Sequence, residues 1–153
     1  MSKLATFLWF EGRAEEAANF YVSIFKNSQI TNASDSGDES VMSISFELDG
    51  QEFIAFNGGP LFSFSPAISF FVKCETQEEV DHYWESLSSN GGEKQRCAWL
   101  RDKYGISWQI VPNILGELLS DEDPAKAKRV LDAMLQMEKI EIAELMQAYN
   151  DGI

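Results

Sequence analysis

A helix pattern that returns after a fixed interval constrains this chain more than any other feature. Ala14-Glu15-Glu16-Ala17 through Phe20-Tyr21 recurs as Gln77-Glu78-Glu79-Val80 through Tyr83-Trp84, 63 residues later, and at the same interval Phe7-Leu8 falls on Phe70-Phe71. A strand, an acidic helix start and an aromatic pair repeated at one spacing mark a duplicated unit. In the first copy Ala5 to Phe10 reads as a strand, and Gly12-Arg13 leads into a helix with Ala17, Phe20, Tyr21, Ile24 and Phe25 at helical spacing. A short strand over Ser28 to Ala33, a polar turn over Ser34 to Glu39 and an alternating strand from Val41 to Leu48 follow. Asp49-Gly50 signals a hairpin returning over Glu52 to Phe56, and Asn57-Gly58-Gly59-Pro60 ends it. The second copy has a strand at Ala67 to Cys74, a helix at Gln77 to Ser88 stopped by Asn90-Gly91-Gly92, and strands at Lys94 to Arg101 and Ile106 to Val111. The first copy therefore reads βαβββ, and the second begins the same order, with two strands after its helix.

Beyond Pro112 the pattern becomes helical. Ile114 to Leu119 is followed by a helix with Pro124 in its first turn running to Met137, and a last helix carries Ile140, Ile142, Leu145, Met146 and Tyr149. The apolar stripe of Val130, Leu131, Met134 and Leu135 reads as core or as a subunit interface.

The charge balance narrows the partners. Twelve basic against 25 acidic residues leave a net charge of −13, which phosphate backbones and anionic membranes repel. Neither nucleic acid nor a membrane is an expected partner. The two cysteines, Cys74 and Cys97, lack CxxC spacing, so reduced thiols in a cytoplasmic protein are expected. The apolar run Phe7-Leu8-Trp9-Phe10 meets Glu11 at once, too short for a signal peptide or a spanning helix.

Several strings, in this order, give the chain a resemblance to a known family: Phe7-Leu8-Trp9-Phe10, the helix Ala14-Glu15-Glu16-Ala17 ending in Phe20-Tyr21, Phe56-Asn57-Gly58-Gly59, Cys97-Ala98-Trp99-Leu100, Ser107-Trp108-Gln109-Ile110-Val111-Pro112 and Leu115-Gly116-Glu117-Leu118-Leu119. They are similar to the PhnB-like branch of the vicinal-oxygen-chelate superfamily (glyoxalase, bleomycin resistance, dioxygenase), a group often labelled 3-demethylubiquinone 3-methyltransferase. The resemblance implies an α+β fold: paired βαβββ modules forming a cupped mixed sheet, with C-terminal helices. On that plan one domain spans 1–153, with module 1 over about 1–60, module 2 over about 66–112 and a helical extension over 113–153. It also implies a homodimer, since cups of this superfamily are often completed across subunits.

The metal-dependent members of the superfamily hold one divalent ion with His and Glu from the first strand of each module and from the last strand. Carried over, those positions present Thr6 or Leu8, Ala67 or Ser69, and Gln109, with Glu52 only at a strand edge. None is a strong ligand, so no metal and no cofactor are expected. The single histidine, His82, sits mid-helix away from Val80, Tyr83 and Leu87 and reads as a solvated side chain. Methyl transfer is not implied by the residues either, because the turn after the first strand, Glu11-Gly12-Arg13, has one glycine where a methyl donor is usually cradled by several.

If the resemblance holds, strand alternation turns Thr6, Leu8 and Phe10, then Ala67, Ser69 and Phe71, then Ser107, Gln109 and Val111 to the concave side. The candidate pocket is thus Thr6, Leu8, Phe10, Phe56, Ser69, Phe71, Cys97, Trp99, Ser107 and Gln109, with Trp9 and Trp108 nearby and some of these aromatics in the ordinary core. A mostly apolar lining with few polar anchors suits a small hydrophobic or aromatic ligand. Cys97 has Arg101 and Lys103 close in sequence but no evident base, and Asp102 reads as the cap of the turn Tyr104-Gly105. The expected function is small-molecule binding. The alternatives are an enzyme of the same superfamily, either a metal-dependent lyase or isomerase or a quinone-modifying activity, and a protein-interaction module that uses the C-terminal helices.

Overall fold

The computed structural model describes residues 2–35 and 41–151. The chain divides into two compact units, Met1–Phe64 and Ser65–Ile153. The expected polar turn at Ser34 to Glu39 lies mostly outside the described residues.

In the first unit β1 (Thr6–Phe10) leads to α1 (Ala14–Ile24), and then to β2 (Gln29–Asp35), β3 (Val41–Leu48) and β4 (Gln51–Asn57). The sheet order is β1-β4-β3-β2, with β1 parallel to β4 and the other pairs antiparallel. Asp49 and Gly50 both take positive φ, 49° and 85°, which is what a two-residue hairpin between β3 and β4 demands. Cross-strand partners share a face, so the pairs Leu8 with Ala55, Ala55 with Ile44, and Phe53 with Phe46 define one side of the sheet. That side packs on α1: Tyr21 stacks on Phe46 at 6.3 Å, and Phe46 on Phe53 at 5.3 Å. All three are buried, each contributing about 1.5–3 kcal/mol by leaving water. Asn57, at the end of β4, accepts the Ala14 amide at 2.8 Å, and so satisfies a donor that Arg13 at the helix start leaves uncapped.

The second unit repeats the topology with β5 (Ser69–Cys74), α2 (Gln77–Leu87), β6 (Glu93–Lys94), β7 (Trp99–Arg101) and β8 (Ser107–Pro112), in sheet order β5-β8-β7-β6. Here α2 caps itself, Thr76 accepting from the Glu79 amide and Glu79 from the Glu75 amide. Val80, Tyr83, Trp84 and Leu87 bury its inner face, and His82 is exposed. The fold class is α+β, as expected.

The strand expected over Lys94 to Arg101 is broken into β6 and β7. Cys97 and Ala98 both take positive φ, 59° and 77°, and their amides donate to Met137 O and Glu138 O instead of to a strand. Those acceptors belong to the helical extension, α3 (Asn113–Leu119), α4 (Pro124–Met134) and α5 (Ile142–Asn150). The extension and Ala98 share a core of Leu115, Leu118, Val130, Met137, Ile140 and Leu145. Among the described residues no helix is long and apolar enough to cross a membrane.

A polar clasp ties α5 to α2. The Gln77 side chain donates to Ile140 O and Asp81 at 3.0 Å and accepts from the Ile142 amide at 2.7 Å, and Lys139 pairs with Asp81 at 2.9 Å. The Gln77 hydrogen bond and then Lys139 hold the Asp81 carboxyl below its ordinary range, and Asp81 in turn raises Lys139. A depressed carboxyl stabilises above its unfolded pKa and loses that contribution as pH falls through the folded value. A raised ammonium stabilises below its unfolded pKa and loses that contribution as pH rises through the folded value. The clasp is therefore complete between the two. The melting-temperature gap between wild type and Asp81→Asn should be level through neutral pH, close below about pH 4, and narrow again above about pH 10.5. A gap unchanged at pH 2 would show that the ion pair contributes nothing.

Candidate functional site

Each unit covers one face of its sheet with its own helix, α1 or α2, and the opposite face is free of that helix, although in the second unit Val111 at its end packs against the core of the C-terminal extension. In the second unit, register places Ser69 beside Ser107, Phe71 beside Gln109 and Trp99 beside Gln109, so these five expected residues share the helix-free face. Gln109 Nε2 donates to Ser69 Oγ at 2.9 Å, Phe71 is 54% exposed, and Ser107, though on this side by register, is buried. Lys73, Val111 and Arg101 alternate onto the same side. Cys97 is not part of it, since its Sγ lies 3.8 Å from Met134 O against the helical extension. The other thiol, Cys74, is buried and pushed up to about 12 by that burial, which leaves it inert at neutral pH.

In the first unit the expected set is one residue out of register. Leu8 and Phe10 are buried on the α1 side, and Thr6 shares that side through Phe53. The helix-free face carries Phe7, Trp9, Ile54 and Phe56 instead, and of the four candidates here only Phe56 stands where expected. The physical reason is one residue of loop. The buried helix positions Ala17, Tyr21 and Ile24 match Val80, Trp84 and Leu87 at 63, but the buried strand positions Leu8 and Phe10 match Val72 and Cys74 at 64. Three residues, 11–13, join β1 to α1, and only 75–76 join β5 to α2. A shift of one residue turns a strand over.

The corrected face is an aromatic cluster. Phe7 lies 5.5 Å from Phe56, ring centre to ring centre, Phe56 lies 5.2 Å from Trp9, and Phe62, from the segment after β4, lies 4.9 Å from Trp9 edge to face. Phe7 and Phe62 are 56% and 62% exposed. Trp9 Nε1 donates to Gly59 O at 3.0 Å, so its one polar atom is already matched by the protein. Single exposed apolar residues mean little, but contiguous rings this open make the face a candidate for contact with another molecule.

The donor set does not fit a catalytic divalent ion. Neither helix-free face carries a convergent set of strong ligands: that of β1 and β4 offers rings and, near the start of β4, the lone Glu52 carboxylate, and that of β5 and β8 offers hydroxyls, a ring, Lys73 and the Gln109 amide, itself engaged with Ser69. Among the described residues no three His, Cys, Asp or Glu side chains come together as a metal site. Neutral oxygens would neither acidify a bound water nor stabilise an enediolate.

The family model for 3-demethylubiquinone-9 3-methyltransferase matches residues 2–111, ending before α3. A solved structure described as a putative 3-demethylubiquinone-9 3-methyltransferase, PhnB protein, from Bacillus cereus is 38% identical, with a TM-score of 0.65 over 72% of this chain and 99% of that one. The genomically encoded fosfomycin resistance protein FosX from Listeria monocytogenes, 19% identical, has a TM-score of 0.58 over 78% of this chain and 98% of its own. A Pseudomonas aeruginosa protein, 14% identical, has 0.59 over 73% and 98%. At these lower identities the likeness is one of fold. No curated protein matches the sequence.

Proposed function

We propose that this chain, which belongs to the 3-demethylubiquinone-9 3-methyltransferase family and so to the PhnB-like branch of the vicinal-oxygen-chelate superfamily, binds a small hydrophobic or aromatic molecule. One observation carries the proposal: the cluster of Phe7, Trp9, Phe56 and Phe62 is open to solvent and its only indole donor is already bonded. Such a surface rewards apolar contact and offers no anchor for an anionic group. The excess of carboxylates, −13 overall, disfavours anions in particular.

The family description and the Bacillus cereus protein's title name a methyltransferase acting on a demethylubiquinone. A quinone ring is flat and uncharged, so a ligand of that class suits the same face. Turnover is the second reading, favoured by that name alone. The loop between β1 and α1 supplies only Gly12 for cradling a methyl donor. We also propose a homodimer, which the exposed Leu131 on α4 and Leu135 just after it favour, and a cytoplasmic setting, which fits two free thiols.

Native mass spectrometry with elemental analysis tests these points together. A metal-free dimer that carries or takes up a small aromatic molecule is expected. Stoichiometric zinc, nickel, iron or manganese would overturn the non-metal reading and put a metal-dependent enzyme in its place.

A further inference from the structure

Gly58 sits at the end of β4, where its amide donates to Phe10 O at 2.8 Å and extends the parallel ladder with β1. A Cβ there would lie 2.3 Å from both Cε2 and Cζ2 of Trp9 and 2.8 Å from Cε2 of Phe56, distances no real side chain tolerates. The indole thus rests directly on the glycine backbone. The next residue, Gly59, holds φ at 89° and presents the carbonyl that accepts the Trp9 Nε1 proton. Glycine is required at Gly59 by its dihedral and at Gly58 by the ring above it. A strand end that needed only to stop would require neither.

We infer that Gly58 is a positioning residue for the ligand: its missing side chain seats the Trp9 indole against Gly58-Gly59, which sets the spacing of the four-ring cluster and selects a planar ring. The inference rests on the proposed small-molecule reading and deepens it. Rings at 4.9 to 5.5 Å in edge and tilted arrangements offer π faces and edges to a flat guest. Lifting the indole off the backbone would break its bond to Gly59 O, leave a bare donor in an apolar surface and alter that spacing. A saturated, uncharged guest gains little from ring geometry and should be nearly indifferent to it.

The test is a double-mutant cycle on the full chain, with 2-naphthol as the planar probe and cyclohexanol as the non-planar control. Binding is read by calorimetry, and the Trp9 indole N–H by NMR, its signal assigned by loss in Trp9→Phe. In Gly58→Ala, 2-naphthol should bind about tenfold more weakly and the Trp9 signal should move, while the other three indole signals stay in place. With Trp9→Phe already present, adding Gly58→Ala should change affinity by about twofold or less, because the indole atoms at 2.3 Å are gone and only the movable Phe56 ring edge at 2.8 Å remains. Equal binding by wild type and Gly58→Ala, or an equal loss in the Trp9→Phe background, overturns the inference alone. Failure of wild type to bind 2-naphthol overturns the reading beneath it as well, and displacement of all four indole signals would show a general structural role instead.

Discussion

Asp102→Ala should cost about 4 kcal/mol of stability, close to the ceiling for a single substitution. The side chain is only 2% exposed, and three donors converge on it. Oδ1 accepts from the Tyr104 amide at 2.9 Å and the Ile106 amide at 3.0 Å, and Oδ2 from Trp108 Nε1 at 2.8 Å. Alanine would strand all three donors, two of the bonds lying in buried surroundings where each unmet partner costs about 1–3 kcal/mol. Asp102→Asn separates the parts. The amide oxygen can still cap the turn, but its NH2 then faces the Trp108 N–H, donor against donor, so about half the loss should remain. Urea denaturation of both variants measures this. Because the turn sets the pairing of β7 with β8, and that pairing puts Trp99 beside Gln109, the helix-free face of the second unit should loosen with it. A loss under about 1 kcal/mol for alanine would mean that water replaces the carboxylate freely.

The turn role of Asp102 was legible, since Asp-Lys-Tyr-Gly between two apolar runs carries its own signal. The bond to Trp108 was not, because nothing in sequence says which way a strand tryptophan points. Repetition was legible in the helices, where the buried face follows from spacing alone. It failed at β1 because all of Phe7-Leu8-Trp9-Phe10 is apolar, so alternation could not name the buried side and the interval from the helix was carried back across a loop one residue longer than its counterpart. The one available signal lay further on: Gly58-Gly59 after Phe56 leaves room for a large ring, and the parallel neighbour at Phe56 is Trp9. In the second unit Lys73 and Ser69 mark the outer side against Phe70, Val72 and Cys74, and all five expected residues on those strands reached one face. The break between β6 and β7 depends on carbonyls about 40 residues away, at Met137 and Glu138, and local pattern carries no trace of it.

Gly92→Ala should be the second severe change, about 3 kcal/mol or more. A Cβ at Gly92 would lie 2.6 Å from Ser88 O and 2.8 Å from both Ser88 C and Arg101 O. These are backbone atoms of the α2 C-cap and of β7, so relief requires moving the helix end or the strand. At Gly58 the obstacles are ring edges, which a rotamer change can clear, and the expected loss there is in binding more than in folding. At Gly92 no such escape exists, since Ser88 is itself held by the bonds of its amide and Oγ to Trp84 O at 3.3 and 2.6 Å. Denaturant titration of Gly92→Ala should show a lower midpoint with the slope unchanged, the sign of lost native stability without a changed unfolded state. Amide exchange should quicken first at β7 and the end of α2. If stability fell while Gly58→Ala left it intact, the two glycines would be separated as the geometry requires, one holding the frame and the other holding the ring. If both fell alike, the Trp9 cluster would belong to the folding core, and the case for a ligand on that face would have to rest on binding data alone.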